Sequence, residues 1–312
     1  MTAIVATYNR SRLVGKAIES ILGQTYPNIE VIVVDDGSTD DTQDTLRQFG
    51  DQVRVISQAN AGPSAARNRG VAAARGEIVA FLDSDDLWLP EKIERQVALL
   101  QSTDGSVPCC VCDAEMRFTN RPTATSFSNF LLDPVRQQGL WSNVSEVLTD
   151  RFVLFNQMAA VRRSAFEKVG GFNEKLRFME DYDLALRLSL LGPFAFIREP
   201  LVIWNQGSAG SLSAEAHQQM SRLKEIEVRI REELLSELNG SDNRLNLKRQ
   251  MRVSLRKARR RLWIARLQQM PSWGAARLGY FLNRMVHYSD AVNRRSPWFV
   301  QMRTTPLPNR AK

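Results

Sequence analysis

Apolar residues in the amino-terminal part of the chain alternate between two patterns. Short unbroken runs, such as Val79-Ala80-Phe81-Leu82 and residues 29–34, have the length and β-rich composition of strands buried on both faces. Between them the spacing turns helical: residues 12–24 put Leu13, Val14, Ala17, Ile18, Ile21 and Leu22 on one face, behind Asn9 or Ser11 as cap. The alternation continues with a helix capped by Thr39 or Asp40 and reaching residue 49, a third strand over 53–57, and a helix over 63–75 with its proline near the first turn. A fourth strand spans 77–82. The first strand, residues 4–6, is short and begins almost at Met1; an upstream start would lengthen it. Alternation of this kind predicts an α/β fold, a mostly parallel sheet with right-handed crossovers and helices on both faces.

Beyond residue 90 the pattern loosens. A helix is expected over 91–101 and strands over 107–113, 157–162 and 194–203. Residues 164–169 read as a short helix closed by Gly170-Gly171, and 180–191 as a stronger one anchored by Leu184, Leu186, Leu188 and Leu191. Residues 117–143 carry turn residues and scattered aromatics without a period, which fits either an acceptor-side wall or a surface excursion. The small-residue loop 207–213 leaves this part of the fold, and long charged helices are expected over 217–238 and 245–269.

Composition adds little to that picture, but the placement of charge adds a good deal. The chain has 312 residues, 43% of them hydrophobic, which is enough to bury a full core. Its net charge of +8 is uneven: residues 222–312 hold 21 Lys or Arg against 7 Asp or Glu, while the first 221 residues stand at −6. Two differently charged parts follow from this. No apolar run reaches the roughly 18 residues of a membrane span, and the opening lacks a signal-peptide layout, so the site is expected to face the cytosol. Cys109, Cys110 and Cys112 are too crowded for a Cys-x-x-Cys clamp and read as reduced, packed strand residues.

The chemistry gathers where strands end. The run at 79–82 stops on Asp83, Asp85 and Asp86, and the run at 29–34 on Asp35 and Asp36. Ligands of open parallel sheets bind at that carboxyl edge, and close carboxylates repel unless a cation or a polyhydroxylated ligand compensates them. An isolated D-x-D is also explained as an acidic turn capping the helix after Pro90. A nucleotide laid across both clusters would give Asp36 a base N–H, Asp83 the ribose hydroxyls and Asp85 a Mg2+ or Mn2+ on the diphosphate. No G-x-x-x-x-G-K-[ST] competes with this scheme, since Arg10 stands where its first glycine belongs before Gly15-Lys16. A further cluster, Glu180-Asp181-Tyr182-Asp183, opens a helix, where the dipole favours acids and where one carboxylate is placed to act as a general base.

Six motifs in order carry a resemblance. Thr7-Tyr8-Asn9, V-I-V-V-D-D-G-S-T-D-D-T, A-G-P-S-A-A-R-N-R-G, G-E-I-V-A-F-L-D-S-D-D-L-W-L-P, V-G-G-F-N-E and M-E-D-Y-D-L-A-L-R-L together resemble an inverting family 2 glycosyltransferase with a GT-A fold, over roughly residues 1–205. The resemblance implies that Thr7, Tyr8 and Asp36 line the base pocket, with Arg67 near the nucleotide. It also implies that Asp83 and Asp85 hold ribose and metal, with Asp86 and Glu180 as secondary candidates, and that Asp181 is the catalytic base. The domains become 1–213, a GT-A catalytic domain with a nucleotide-binding half at 1–106 and an acceptor half at 107–213, and 214–312, a basic, mainly helical region.

The sequence departs from the family's pattern in the loop after the last strand, where members often carry a histidine and Trp204-Asn205-Gln206-Gly207 has none; His217 comes late. The basic run at 256–261, followed by Leu262, Trp263, Ile264, Leu267, Met270 and Trp273, suits a helix lying on an anionic leaflet through residues 245–273, or one packed on its own domain or a dimer mate. It belongs to no nucleic-acid reading motif. The expected partners are a UDP- or dTDP-linked sugar and a hydroxyl acceptor on a bacterial surface glycan, lipid-linked, at the inner face of the cell membrane. A non-catalytic nucleotide-sugar binder of the same fold has no use for the Glu180-Asp181 pair. A nucleotidyltransferase would need a glycine-rich, Arg-containing loop after the first strand, which is absent.

Overall fold

Strand β1 (Thr2–Thr7) is flanked on both sides by parallel partners, β2 (Glu30–Asp35) and β4 (Ile78–Asp83), and this double pairing extends it past the three residues that hydropathy alone marks. The computed structural model describes residues 1–118, 122–132, 134–206, 219–239, 245–268 and 301–307. Helix α1 (Val14–Leu22) follows β1 with Val14, Ala17, Ile18 and Ile21 buried; neither Asn9 nor Ser11 caps it, since Leu13 stands at that position without a side-chain bond. Between β2 and β3 (Arg54–Ser57) lies α2 (Thr42–Arg47), entered through Asp40, whose Oδ1 accepts from the Thr42 N–H at 3.1 Å. Helix α3 (Pro63–Ala73) leads back to β4, and a Cβ at Gly70 would stand 2.5 Å from Ile4 Cγ2, so glycine there lets the helix settle onto the sheet.

The second half of this sheet is mixed. A two-residue strand, β5 (Leu87–Trp88), precedes α4 (Lys92–Gln101), and β6 (Cys109–Phe118) runs five residues beyond the stretch expected, because a later strand pairs with it from Cys110 to Phe118. β7 (Ala124–Thr125), α5 (Ser126–Asn129) and β8 (Gln138–Trp141) lie in the aperiodic segment, followed by α6 (Val144–Asp150). Only the second part of the strand expected at 157–162 is extended: Asn156–Met158 form a 3-10 turn and β9 (Ala159–Arg162) inserts antiparallel between β4 and β6. Then come α7 (Arg163–Lys168), α8 (Glu180–Ser189) and β10 (Phe194–Gln206). The carboxy-terminal third holds α9 (Met220–Asn239), α10 (Leu245–Gln268) and β11 (Thr304–Thr305). β11 is strand in a region read as helical, and it pairs antiparallel with β8. Among the described residues the strands form a single sheet in the order β11-β8-β10-β6-β9-β4-β1-β2-β3, with β5 on β10 and β7 on β6. Cys109, Cys110 and Cys112 are free thiols buried in β6.

The chain divides into two compact units, Met1–Val144 with Val153–Ser208 and Met302–Lys312, and Ser145–Phe152 with Ala209–Gln301. The first contains the whole sheet. In the second, α9 and α10 pack through Val228, Leu255 and Ala258, with Leu235 and Leu262 at the margin. Arg231 is buried among them, its Nε donating to Ser254 Oγ at 2.9 Å and its Nη1 2.7 Å from Glu227. At 100° per residue, Arg249, Arg252, Val253, Arg256, Arg260 and Trp263 fall on one face of α10, and all are exposed. The loop expected at 207–213, and His217, Met270 and Trp273, lie outside the described residues.

Candidate active site

Parallel register brings the strand ends together. Thr7 pairs with Asp35 and Ala6 with Asp83, so the ends of β1, β2 and β4 share one edge of the sheet. Asp36 N–H donates to the Thr7 carbonyl at 2.9 Å, and the Asp36 carboxylate then organises the loop before α3. Its Oδ1 accepts from Gln58 Nε2 at 2.8 Å and Ala61 N–H at 2.9 Å, and its Oδ2 from Gly62 N–H at 2.8 Å. A carboxylate offers about four acceptor sites, so this leaves roughly one. Asp35 is buried too, accepting from Ser38 N–H and Gln43 Nε2, both at 3.0 Å. Thr7 is buried with its Oγ1 lacking a partner, and Tyr8 stands exposed beside it. Asn9 follows in the left-handed region (φ 52°), held there by a bond from Thr39 N–H to its Oδ1 at 2.8 Å.

Arg67 joins this edge to the acidic helix. It lies on α3 almost wholly buried, its Nη2 2.6 Å from Asp83 Oδ1 and its Nη1 2.8 Å from Glu180 Oε1, with the guanidinium 5.4 Å from the Phe172 ring. Burial disfavours its charge, but the two carboxylates and their hydrogen bonds outweigh that and raise its pKa above the ordinary value. The next residue, Asn68, takes Phe172 N–H on its Oδ1 at 2.9 Å and donates through Nδ2 to Phe172 O and Glu174 Oε1. Gly171 at φ +70° lets the chain pass under it, where a Cβ would stand 2.8 Å from Asn68 Oδ1. Met179 caps α8 in the left-handed conformation (φ 64°), and a non-glycine residue held there costs on the order of 1–3 kcal/mol. Glu180 and Asp181 then open the helix; Asp183 is taken by Arg187 farther in, so the acids divide between site and scaffold.

Asp181 is half-buried and accepts from Tyr182 N–H at 2.8 Å. Desolvation and the charge of Glu180 push its pKa well above 3.8, against the Tyr182 hydrogen bond and Arg67. At the turn after β4, Asp83 remains about a third exposed, its side chain 34% accessible. Asp86 is buried, its Oδ1 accepting from Asn205 N–H at 2.8 Å, while Asn205 Nδ2 donates to the Asp85 carbonyl at 2.7 Å. Burial and the charges of Asp83 and Asp85 raise the Asp86 pKa well above 3.8. It serves as a strut between this turn and β10, which leaves Asp83 and Asp85 as the candidate pair at the turn. The end of β10, where a histidine was missed, thus reaches the acidic turn through Asn205. Sequence reading gave no role to Asn68 or Asn205, although the first sits in the A-R-N triplet and the second in the loop noted for lacking a histidine.

Three segments far apart in sequence therefore converge on one sheet edge: an acidic cradle, a buried arginine and a partly buried carboxylate of raised pKa. The mixed sheet that carries them has the GT-A fold. The family model for glycosyl transferase family 2 matches residues 2–170, and the chain belongs to that family. An uncharacterized glycosyltransferase of Nostoc sp. is 45% identical over 108 residues, 33% of this chain and 34% of its own length. The Escherichia coli UDP-Glc:alpha-D-GlcNAc-diphosphoundecaprenol beta-1,3-glucosyltransferase WfaP is 28% identical over 232 residues, 72% of this chain and 84% of that protein. The chain spans 34% to 62% of the lengths of the first curated relatives it matches. Among solved structures, S. aureus TarS in complex with UDP shares the fold with a TM-score of 0.62 at 19% identity, over 83% of this chain and 70% of that one. The mannosyltransferase PcManGT of Pyrobaculum calidifontis, in complex with GDP-Man and Mn2+, does so with a TM-score of 0.57 at 22% identity, over 95% and 81%.

Proposed function

We propose that the protein moves a sugar, with inversion, from a UDP- or dTDP-linked donor to a hydroxyl of a growing bacterial surface glycan on a lipid carrier. The observation that carries this reading is the Arg67 bridge, which ties a donor-side carboxylate, Asp83, to Glu180 beside the candidate base. The nucleotide base lies against Tyr8, with the Thr7 hydroxyl and the remaining Asp36 acceptor site as its polar contacts, and Asp83 takes the ribose. Asp181 removes the acceptor hydroxyl proton as the oxygen attacks the anomeric carbon. The bond to the diphosphate breaks on the opposite face, and its electron pair leaves with the phosphate oxygen. A raised pKa suits Asp181 to this work, because a stronger base drives proton transfer better near neutral pH.

Asp83 and Asp85 offer oxygen donors of negative charge, and among the described residues no three His, Cys, Asp or Glu gather into a protein-only cage. That set fits Mg2+ or Mn2+, hard ions that share their ligands between one or two carboxylates and a diphosphate. When bound, such an ion neutralises charge on the leaving group, with Asp85 as its protein ligand. The WfaP specificity, a diphosphoundecaprenol acceptor, supports the lipid-linked assignment. No helix among the described residues is long and apolar enough to cross a membrane. Residues 245–273 make peripheral contact with anionic lipid, through the exposed arginine face of α10 and Trp263.

A thermal-shift panel of nucleotide sugars tests the donor assignment: UDP or dTDP derivatives raise the melting temperature further with Mn2+ than without. A panel with no response to any nucleotide would sink the reading. Co-sedimentation with anionic vesicles tests the membrane contact, which disappears when Arg249, Arg252, Arg256 and Arg260 are replaced by Ser; equal sedimentation of that variant counts against it.

A further inference from the structure

Most aromatic rings near the donor edge are explained by the core. Phe81, Phe166 and Phe172 form a buried cluster with centroids 5.0–5.7 Å apart, each ring at most 4% exposed. A second cluster is less fully buried. Phe155 lies 4.1 Å from the Trp204 ring centroid at 43° and 5.8 Å from that of Phe130 at 41°, and all three residues are half-buried, with surface left to solvent. Leaving large apolar rings partly in water forgoes about 25 cal/mol per Å² that packing would recover. The rings come from three separate segments: Phe130 follows α5, Phe155 precedes the 3-10 turn, and Trp204 sits near the end of β10.

Their position is fixed against the acidic turn. Trp204 is one peptide from the Asn205 N–H that Asp86 accepts, and Asn205 Nδ2 holds the Asp85 carbonyl. Consecutive Cα atoms are about 3.8 Å apart, so the backbone that carries the indole is clamped to the cradle proposed for the diphosphate. We infer that Trp204 and Phe155, flanked by Phe130, form an acceptor subsite that takes one pyranose ring of the glycan against an aromatic face. A pyranose has a face of C–H bonds and an edge of hydroxyls, and the negative face of an aromatic ring attracts such polarised C–H groups while shielding them from water. The acceptor rather than the donor sugar is the proposed occupant because all three rings lie in segments other than those that carry Thr7, Tyr8, Asp36 and Asp83. The inference rests on the proposed transfer reaction only in calling the bound sugar the acceptor.

Saturation-transfer NMR with methyl pyranosides of glucose, galactose, mannose, N-acetylglucosamine and N-acetylgalactosamine, in the presence of UDP and Mn2+, tests it, with 1-hexanol as an apolar control. At least one pyranoside receives magnetisation, chiefly at the C–H protons of one ring face. Trp204→Ala and Phe155→Ala each weaken its binding roughly tenfold, while Trp204→Phe retains most of it. UDP affinity stays within about twofold in all three variants, which shows that they are folded at the donor edge. The absence of pyranoside binding, equal binding by the alanine variants, or hexanol binding as well as any sugar would each overturn the subsite. Failure of the unsubstituted protein to bind UDP would instead remove the donor assignment and leave the sugar result to be judged on its own.

Discussion

Arg67 Nη2 lies 2.6 Å from Asp83 Oδ1, and because the same guanidinium holds Glu180 at 2.8 Å, one buried side chain sets the spacing between the two acidic clusters. Breaking a buried pair by removing one partner strands the other, at a cost of about 3–5 kcal/mol. Arg67→Met is therefore expected to lower unfolding free energy by that order and to abolish UDP binding, as read by urea denaturation and calorimetry. Arg67→Lys keeps the charge but cannot span both carboxylates with a planar fork, so it is expected to fall between.

Asp181→Asn keeps the shape of the site and removes the base. Turnover is expected to fall by roughly 10²–10⁴, the ordinary contribution of general base catalysis, with UDP affinity nearly unchanged. Radiolabelled transfer beside UDP titration separates the two quantities, and a lost UDP affinity would place Asp181 in the donor site instead.

The pH profile follows from the same residue. A base works only when deprotonated, and desolvation with the Glu180 charge holds the Asp181 pKa well above 3.8, so kcat/KM is expected to rise with pH through a midpoint well above that of a free aspartate. A rate already flat from pH 4 upward would contradict the arrangement.

Lys92 is fully buried, its Nζ donating to Gln96 Oε1 at 2.8 Å and lying 4.1 Å from the Trp88 ring centroid. Burial lowers its pKa from 10.5 to about 8. Between those values the unfolded chain holds the extra proton at this site, so the Lys92 contribution to stability rises as pH goes from about 8 toward 10.5, opposite in sign to that of Cys109, Cys110 and Cys112, whose thiol pKa values burial raises; below about 8 the fold carries the whole cost of the buried cation. That cost is about 3 kcal/mol. Lys92→Met is expected to unfold at higher urea near neutral pH, and its advantage over the unsubstituted protein is expected to shrink from about pH 8 toward 10.5; an advantage that does not change with pH would show that Lys92 does not titrate in that window.

Asp85→Asn separates metal from nucleotide. The extra melting-temperature rise that Mn2+ adds to UDP is expected to vanish, whereas the smaller rise with UDP alone persists. Thermal shift with and without chelator reads both.

Much of this was legible in the sequence because it is local. A strand buried on both faces must be an unbroken apolar run, and the acids that end such runs mark the edge where β1, β2 and β4 align. The first turn of α8 was equally plain, since its leucine periodicity and acids need only nearest neighbours. Other features were not readable because no local pattern encodes them. The insertion of β9 between β4 and β6, and the return of β11 to β8, depend on pairings across the chain, and strands this short carry no periodicity of their own.

The site divides along the same line. Sequence alone determined which side chains carry charge and at which strand or helix ends they stand, since hydropathy period and chain direction decide both. Only tertiary structure decided that Arg67 reaches Asp83 and Glu180 together, that Asp86 is a strut held by Asn205, and that Phe130, Phe155 and Trp204 meet. Those are contacts between residues up to 119 positions apart, and their energy depends on burial and angle, which exist only once the chain has closed on itself.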